Sequence, residues 1–148
     1  MDSGRVILVV EDSDEDFEAT LRAFRKTEAN RPVRRCVDGE EALDYLLCRG
    51  RYAEEGKAPK AALVLLDLNL PGTDGQEVLE QIKANVAIRG TPVVVLTTSS
   101  SPIDIDACYH RGASSYIIKP VDFKQLLGTI RQLNEYWFEA VTLPGGPL

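Results

Sequence analysis

The sequence predicts an α/β fold in which a five-stranded parallel sheet is covered by helices on both faces. Five short apolar segments alternate with five amphipathic ones, at a spacing of about thirty residues or fewer per pair, as right-handed βαβ units require. Strands that are apolar throughout are expected where both faces of a sheet are buried. The predicted strands are RVILVV (5–10), PVRRCV (32–37), ALVLLD (62–67), TPVVVLT (91–97) and SSYIIK (114–119).

The helix starts carry residues that accept hydrogen bonds from free backbone amides. The predicted caps are Ser13, Asp38, Ser101 and Asp122. Gln125 follows Asp122 at the spacing of a capping box, and Gly112 is expected to end the fourth helix. The third helix is predicted over Gln76–Ala84, and the polar segment from Arg49 to Ala61 is predicted to be a loop.

Composition limits the class of protein. The chain has 148 residues, a length that suits one domain over 1–148 with a packed core, predicted at about 4–135. A composition of 44% hydrophobic and 27% charged residues excludes a disordered chain. A helix extension and tail are predicted over about 136–148. The net charge of −6 disfavours nucleic acid as a partner, because phosphate binding needs clustered Lys and Arg.

The cysteines and the hydropathy indicate a compartment. Cys36, Cys48 and Cys108 are odd in number and form no CxxC motif, and no signal peptide is recognisable. No apolar run approaches the roughly 20 residues that span a bilayer. We therefore expect a soluble cytoplasmic protein with reduced thiols and no membrane contact.

Polar residues gather where the predicted strands end. Glu11 and Asp12 follow the first strand, Asp67 ends the third, and Lys119 ends the fifth. Thr97 and Thr98 end the fourth strand. In parallel α/β sheets ligands bind beyond the carboxyl ends of the strands, so these side chains are expected to form one site.

The chemistry of this set indicates phosphoryl transfer. Three close carboxylates repel one another unless a cation neutralises them, and ligands that are all oxygen suit Mg²⁺. A carboxylate beside Mg²⁺, an ammonium and a hydroxyl can receive a phosphoryl group and neutralise its oxygens. Asp67, at the end of a rigid apolar strand, is therefore predicted to be the nucleophile.

Several motifs now occur in a fixed order: the pair Glu11–Asp12, DLNLPGTDG (67–75), LTT (96–98), and Tyr116 followed by Lys119–Pro120. With them the sequence resembles the receiver domain of bacterial two-component response regulators over roughly residues 4–135. The resemblance implies a doubly wound, flavodoxin-like (βα)5 fold and phosphorylation of Asp67 by a partner sensor histidine kinase. It describes a phosphoacceptor signalling protein and not an enzyme acting on outside substrates.

The resemblance also implies roles for single residues. Mg²⁺, with Mn²⁺ as a second candidate, would be held by Asp12, Asp67 and the backbone carbonyl of Asn69, with Glu11 assisting through water. Thr97 and Lys119 would each bind a phosphoryl oxygen. Tyr116 would change rotamer as Thr97 moves, carrying the signal to the fourth helix, fifth strand and fifth helix. The Lys119–Pro120 bond would be cis.

Three features depart from the commonest receiver pattern: a longer loop from Arg49 to Lys60, Thr98 where a small residue is more frequent, and the extra tail NEYWFEAVTLP (134–144). The loop and the tail resemble those of single-domain regulators paired with bacterial phytochromes, which implies a bacteriophytochrome as the kinase. Trp137 and Phe138 continue the helical apolar stripe beyond the expected sheet, so both are predicted to be exposed on a monomer. With Tyr136 they form the predicted dimer surface. Exposed aromatic area of this kind predicts a homodimer through the C-terminal helix.

Three other functions are compatible with a strand that ends in an aspartate. A phosphohydrolase with an aspartate nucleophile carries a second Asp two residues later, where this chain has Asn69, and the chain lacks a cap domain. An FMN module needs a Ser/Thr/Gly-rich loop where this chain has EDSDED, whose charge repels phosphate. A receiver-like scaffold that works without phosphorylation stays open, although every group of the acceptor site is present.

The sole histidine, His110, is predicted to be a surface residue. With no DNA-binding domain attached, output is expected through protein contacts.

Overall fold

A computed structural model describes residues 5–27 and 31–145. The strands are β1 (Val6–Val10), β2 (Val33–Cys36), β3 (Ala61–Leu66), β4 (Val93–Thr97) and β5 (Ser115–Ile118). The helices are α1 (Asp14–Lys26), α2 (Gly39–Leu47), α3 (Gly75–Ala84), α4 (Pro102–His110) and α5 (Phe123–Glu135). Each element lies within two residues of its predicted position.

The five strands form one parallel sheet in the order β2-β1-β3-β4-β5, which confirms the predicted fold class. Val10 pairs with both Cys36 and Leu66, so β1, β2 and β3 end at the same level. Thr97 pairs with Ile118 at the end of β5. The register therefore brings Glu11, Asp67 and Lys119 out at one edge of the sheet.

Helices cover both faces of the sheet. Val6, Leu8 and Val10 point into a core shared with α2, α3 and α4, whereas Ile7 and Val9 point into a second core shared with α1 and α5. Burial of one such side chain is worth roughly 1.5–3 kcal/mol, so a strand in this position is apolar at every residue. Among the described residues no helix is long and apolar enough to cross a membrane.

The predicted caps are confirmed. Ser13 accepts a hydrogen bond from the Asp16 amide (3.2 Å), and Asp38 accepts one from the Glu41 amide (2.7 Å). Ser101 and Asp122 accept bonds from the backbone amide three residues on, in the same way. These bonds satisfy amides that a helix start otherwise leaves free.

The segment from Arg49 to Ala61 is more ordered than a simple loop. It contains a 3₁₀ turn over Gly50–Tyr52. The Tyr52 hydroxyl donates to Glu41 Oε2 (2.6 Å), and the Tyr45 hydroxyl donates to the Pro59 carbonyl (2.7 Å). The loop is thus attached to α2 at both of its ends.

The C-terminal segment differs from the prediction. α5 ends at Glu135 and a π-helical turn follows over Tyr136–Ala140, closed by a bond from the Val141 amide to the Tyr136 carbonyl (3.0 Å). Tyr136 is exposed, but Trp137 and Phe138 are half-buried against the core of α1 and α5. The prediction that Trp137 and Phe138 are exposed is therefore wrong, because the wider turn directs both rings back onto that core.

Candidate functional site

Asp67 stands directly after β3, one of three strands that are buried at every residue. All six residues of β3 are buried, and Asp67 itself is only 5% exposed. Its amide donates to the Val10 carbonyl (3.1 Å), and its Oδ1 accepts from the Asn69 amide (3.1 Å). The carboxylate is thus fixed in direction, with Oδ2 turned towards the neighbouring strands.

Two further carboxylates stand beside it. Ligand oxygens of Glu11, Asp12 and Asp67 lie within 4.8 Å of one another. Glu11 is buried, whereas Asp12 is exposed at the rim. The structure therefore brings the three predicted acids together, as the parallel topology requires.

Lys119 joins the acids from the other side. Its Nζ donates to Glu11 Oε1 (2.5 Å), Asp16 Oδ2 (2.8 Å) and Asp67 Oδ2 (3.1 Å). The Lys119–Pro120 peptide bond is trans, so the prediction of a cis bond is wrong. The lysine reaches the site without it, because the three ion pairs already hold the ammonium there.

Burial and charge shift the proton affinities of this cluster. Burial raises the pKa of Glu11 to about 7, and the charge of Asp67 adds to the effect, although Lys119 opposes it. Burial on its own lowers the pKa of Lys119, but bonds to Asp16 and Glu11 and the charge of Asp67 outweigh it, so this pKa is raised. Lys119 therefore remains charged at neutral pH.

The donor set fits a hard divalent cation. Glu11, Asp12, Asp16 and Asp67 outnumber the two cations beside them, the Lys119 ammonium and the Arg35 guanidinium, which leaves excess negative charge at this edge. The ligand atoms are all oxygens, the type that Mg²⁺ and Mn²⁺ accept, and none is sulfur or imidazole. The acidic triad can therefore hold a metal ion.

Thr97 and Tyr116 lie at the β4 and β5 side of the site. The Thr97 carbonyl accepts from the Lys119 amide (2.7 Å), which places the two residues side by side. Thr97 is fully buried, and its hydroxyl has no hydrogen-bond partner among the described residues. The Tyr116 hydroxyl donates to the Ser99 carbonyl (2.9 Å), two residues beyond Thr97.

Other predicted residues lie outside the cluster. His110 is exposed at the last residue of α4, as expected. Tyr136, Trp137 and Phe138 follow α5, which runs back along the sheet, so they lie towards the opposite edge from Asp67.

Sequence reasoning missed two members of the site. Asp16 contacts Lys119, and Arg35 Nε donates to the Glu11 carbonyl (3.0 Å). Asp16 lies in the first turn of α1, three residues after the cap Ser13, and that position was a usable signal. Arg35 is the penultimate residue of β2 and pairs with Val9 of β1, a neighbourhood that the strand order alone would have indicated.

Comparisons with known proteins agree with this geometry. The family model of the response regulator receiver domain matches residues 7–131. A probable methanogenesis regulatory protein, FilR2 of Methanothrix harundinacea, is 41% identical over 140 residues, which cover 95% of this chain and 88% of that protein.

Two solved structures are similar throughout. The phosphorylated cyanobacterial phytochrome response regulator RcpA is 36% identical, with a TM-score of 0.89, over 97% of this chain and 100% of that one. The Mn²⁺-bound response regulator Rcp1 is 37% identical, with a TM-score of 0.87, over 95% of this chain and 99% of that one; Rcp1 comes from Synechocystis sp.. The strand order, the acidic triad at the sheet edge and these matches lead to one conclusion: this chain belongs to the response regulator receiver domain family of phosphoacceptor signalling proteins.

Proposed function

We propose that the chain accepts a phosphoryl group on Asp67 from a sensor histidine kinase. One observation carries the proposal: the buried Asp67 carboxylate lies 3.1 Å from the Lys119 ammonium and within 4.8 Å of oxygens of Glu11 and Asp12. The Asp67 carboxylate is thus an oxygen nucleophile held in a fixed position, and the Lys119 ammonium lies beside it. The phosphodonor histidine comes from the kinase, because His110 is exposed on α4 away from Asp67.

The transfer is a displacement at phosphorus. An oxygen of Asp67 forms the new P–O bond while the P–N bond to the kinase imidazole breaks, and the electron pair of that bond stays on the imidazole nitrogen. The Lys119 ammonium donates to one phosphoryl oxygen and the Thr97 hydroxyl to another. Fixed donors of this kind stabilise charge on the phosphoryl oxygens in the transition state.

Mg²⁺ fits the oxygen ligands, with Asp12, Asp67 and the Asn69 carbonyl as the holding groups and Glu11 assisting through water. Bound there, the ion supplies positive charge against the incoming phosphoryl oxygens. Mn²⁺ is a second candidate with the same ligand preference.

The test uses acetyl phosphate as the donor. Intact-mass measurement is expected to show one added phosphoryl group with Mg²⁺ and none with EDTA. Thr97→Ala and Lys119→Ala are expected to slow the addition on the order of tenfold or more, since each removes a donor to the phosphoryl oxygens. Equal modification with and without Mg²⁺ would contradict the proposal.

Output is proposed to pass through the face formed by α4, β5 and α5. The Tyr116 hydroxyl bonds the segment after Thr97, so movement of Thr97 towards a phosphoryl group changes the position that Tyr116 can hold. Exposed apolar side chains on this face, Ile103, Tyr109 and Ile118, suit a protein partner. Tyr116→Phe is expected to leave phosphorylation intact and to weaken the response of a partner.

A homodimer is proposed through the C-terminal segment. Tyr136 is 54% exposed beside a groove of about 440 Å³ lined by Ile117, Leu133 and Trp137. Sedimentation at micromolar concentration is expected to give a dimer, which Tyr136→Arg dissociates. The matched control, Val86→Arg, changes an exposed apolar residue after α3 and leaves the dimer intact. A monomer for the parent chain, unchanged on phosphorylation, would refute this.

A bacteriophytochrome is proposed as the kinase. RcpA is named as a phytochrome response regulator, and its likeness covers almost the whole of this chain. The rate of phosphotransfer from an autophosphorylated bacteriophytochrome is expected to exceed that from an unrelated sensor kinase at least tenfold, which corresponds to about 1.4 kcal/mol of activation free energy. Equal rates from both kinases would count against a phytochrome partner.

A further inference from the structure

We propose that Asp16 is a positioning residue that holds the Lys119 ammonium against Asp67. The proposal rests on the phosphoacceptor function above and adds a residue of α1 to it. Asp16 Oδ2 lies 2.8 Å from Lys119 Nζ, closer than the acceptor Asp67 at 3.1 Å. The side chain of Asp16 is 46% exposed, so this acid stands at the mouth of the site.

Asp16 belongs to a closed set of hydrogen bonds between β1 and α1. The Ser13 amide donates to Glu11 Oε2 (3.1 Å), and the Asp16 amide donates to Ser13 Oγ (3.2 Å). Lys119 closes the set by donating to both Glu11 and Asp16. The cap that starts α1 therefore also sets where the Asp16 carboxylate stands.

Of the three hydrogen bonds that the Lys119 ammonium donates, two hold the ammonium in place and one goes to the phosphoacceptor. An ammonium has three N–H donors, and Glu11, Asp16 and Asp67 occupy all of them. The two shorter contacts come from the β1–α1 segment, and the longest goes to the acceptor. When Asp67 gains a phosphoryl group, the donor that pointed at Asp67 turns to a phosphoryl oxygen, while the other two keep Nζ in place.

A simple interaction with the helix dipole does not account for Asp16. Asp14 and Glu15 are also acids of the first turn of α1 and are exposed. Asp14 pairs with Arg35 (2.8 Å), whereas Asp16 turns towards Lys119. Glu15 therefore provides a matched control that removes a first-turn charge without touching the lysine.

The test compares Asp16→Ala, Asp16→Asn and Glu15→Ala in Mg²⁺ and acetyl phosphate. Asp16→Ala is expected to slow phosphorylation on the order of tenfold, the loss of one charged hydrogen bond. Asp16→Asn keeps an acceptor oxygen and is expected to recover the rate to within about threefold, as a polar substitute for the same bond. Glu15→Ala is expected to match the parent. A rate for Asp16→Ala equal to or above the parent, or no recovery in Asp16→Asn, would overturn the proposal.

A second arm shows whether Asp16 acts through Lys119. In a Lys119→Ala background, Asp16→Ala is expected to cause no further loss, because there is no ammonium left to position. The same tenfold loss in that background would overturn the proposal.

A separate measurement applies if the parent chain takes no phosphoryl group at all, in which case the proposed function fails first. The ¹⁵N NMR signal of the Lys119 ammonium then tests the positioning role. The ammonium protons are expected to exchange with water slowly enough for the signal to be observed in the parent and in Glu15→Ala. The signal is expected to be lost in Asp16→Ala. Retention of that signal in Asp16→Ala would overturn the positioning role.

Discussion

At the scale of the residue, Glu11 carries an unusual charge state. It is 4% exposed and faces Lys119, Asp67 and the Ser13 amide. Its pKa of about 7 lies above the ordinary 4.5 because burial penalises the carboxylate. In the metal-free protein, the folded state thus holds a proton that the unfolded chain releases between those two pH values.

This difference predicts how stability depends on pH. Since the folded state binds more protons than the unfolded state between pH 4.5 and about 7, the free energy of unfolding in EDTA is expected to fall as pH rises through that range, by on the order of 2 kcal/mol. Denaturant titrations from pH 5 to 8 measure it. Glu11→Gln is expected to flatten the profile, and Mg²⁺ is expected to restore stability at pH 8. A parent profile that rises across this range would contradict the assignment.

The three cysteines differ in burial. Cys36 and Cys108 are fully buried, whereas Cys48 is exposed. Burial raises the pKa of the Cys36 thiol to about 12, and that of Cys108 is raised as well. Because the thiolate is the reactive form, Ellman's reagent is expected to modify one thiol of the native chain rapidly and all three after denaturation. Cys48→Ser is expected to abolish the rapid phase; its persistence would show that a buried thiol is accessible.

At the scale of the element, the turn from β3 to α3 holds Asp67 in place. A Cβ on Gly75 would lie 2.5 Å from both the Asp67 carbonyl oxygen and Leu68 Cα. No L side chain fits there without moving the backbone that carries the acceptor. The glycine therefore allows α3 to start close against the end of β3.

Gly75→Ala is accordingly expected to destabilise the protein by about 2–3 kcal/mol, the cost of overpacking against backbone, and to slow phosphorylation by displacing Asp67. The control is Gly90→Ala, since a Cβ there meets no atom within 4 Å. Its effect is expected to stay within about 0.5 kcal/mol. Equal unfolding midpoints for Gly75→Ala and Gly90→Ala would refute the close approach.

The elements themselves follow from local signals. Apolar runs give the strands to within two residues, and Ser13, Asp38, Ser101 and Asp122 cap the helices that they were expected to cap. The π-helical turn at Tyr136 was not predictable, because packing on the core of α1 and α5 decides where Trp137 and Phe138 point. Tertiary contacts override local pattern there, as they do for the 3₁₀ turn near Tyr52.

At the scale of the whole molecule, two ends of the sheet have different roles. The carboxyl edge carries Glu11, Asp67 and Lys119, whereas α5 runs back so that Tyr136 lies towards the amino edge. The proposed dimer surface therefore lies at the opposite edge of the sheet from the proposed phosphoacceptor. Tyr116, bonded to the segment after Thr97, packs on the core shared with α2, α3 and α4, whereas its neighbour Ile117 packs on the core of α1 and α5.

The parallel topology explains why much of the site was predictable. Once five strands are placed, the residues after each strand must meet at one edge, and the triad follows. The contact between Asp16 and Lys119 did not follow, because it depends on which acids the lysine reaches in three dimensions. The trans Lys119–Pro120 bond was not predicted either. Single-domain organisation over 1–148 remains a prediction.

The central claim is that Asp67 is the phosphoryl acceptor, and its most direct test locates the modification. The chain is incubated with Mg²⁺ and acetyl phosphate, reduced with borohydride, which attacks acyl phosphates, and mapped by peptide mass spectrometry beside Asp67→Asn. Reduction is expected at Asp67 alone in the parent chain and at no residue of the variant. Modification at another residue, or an unmodified parent chain with its fold verified, would contradict it.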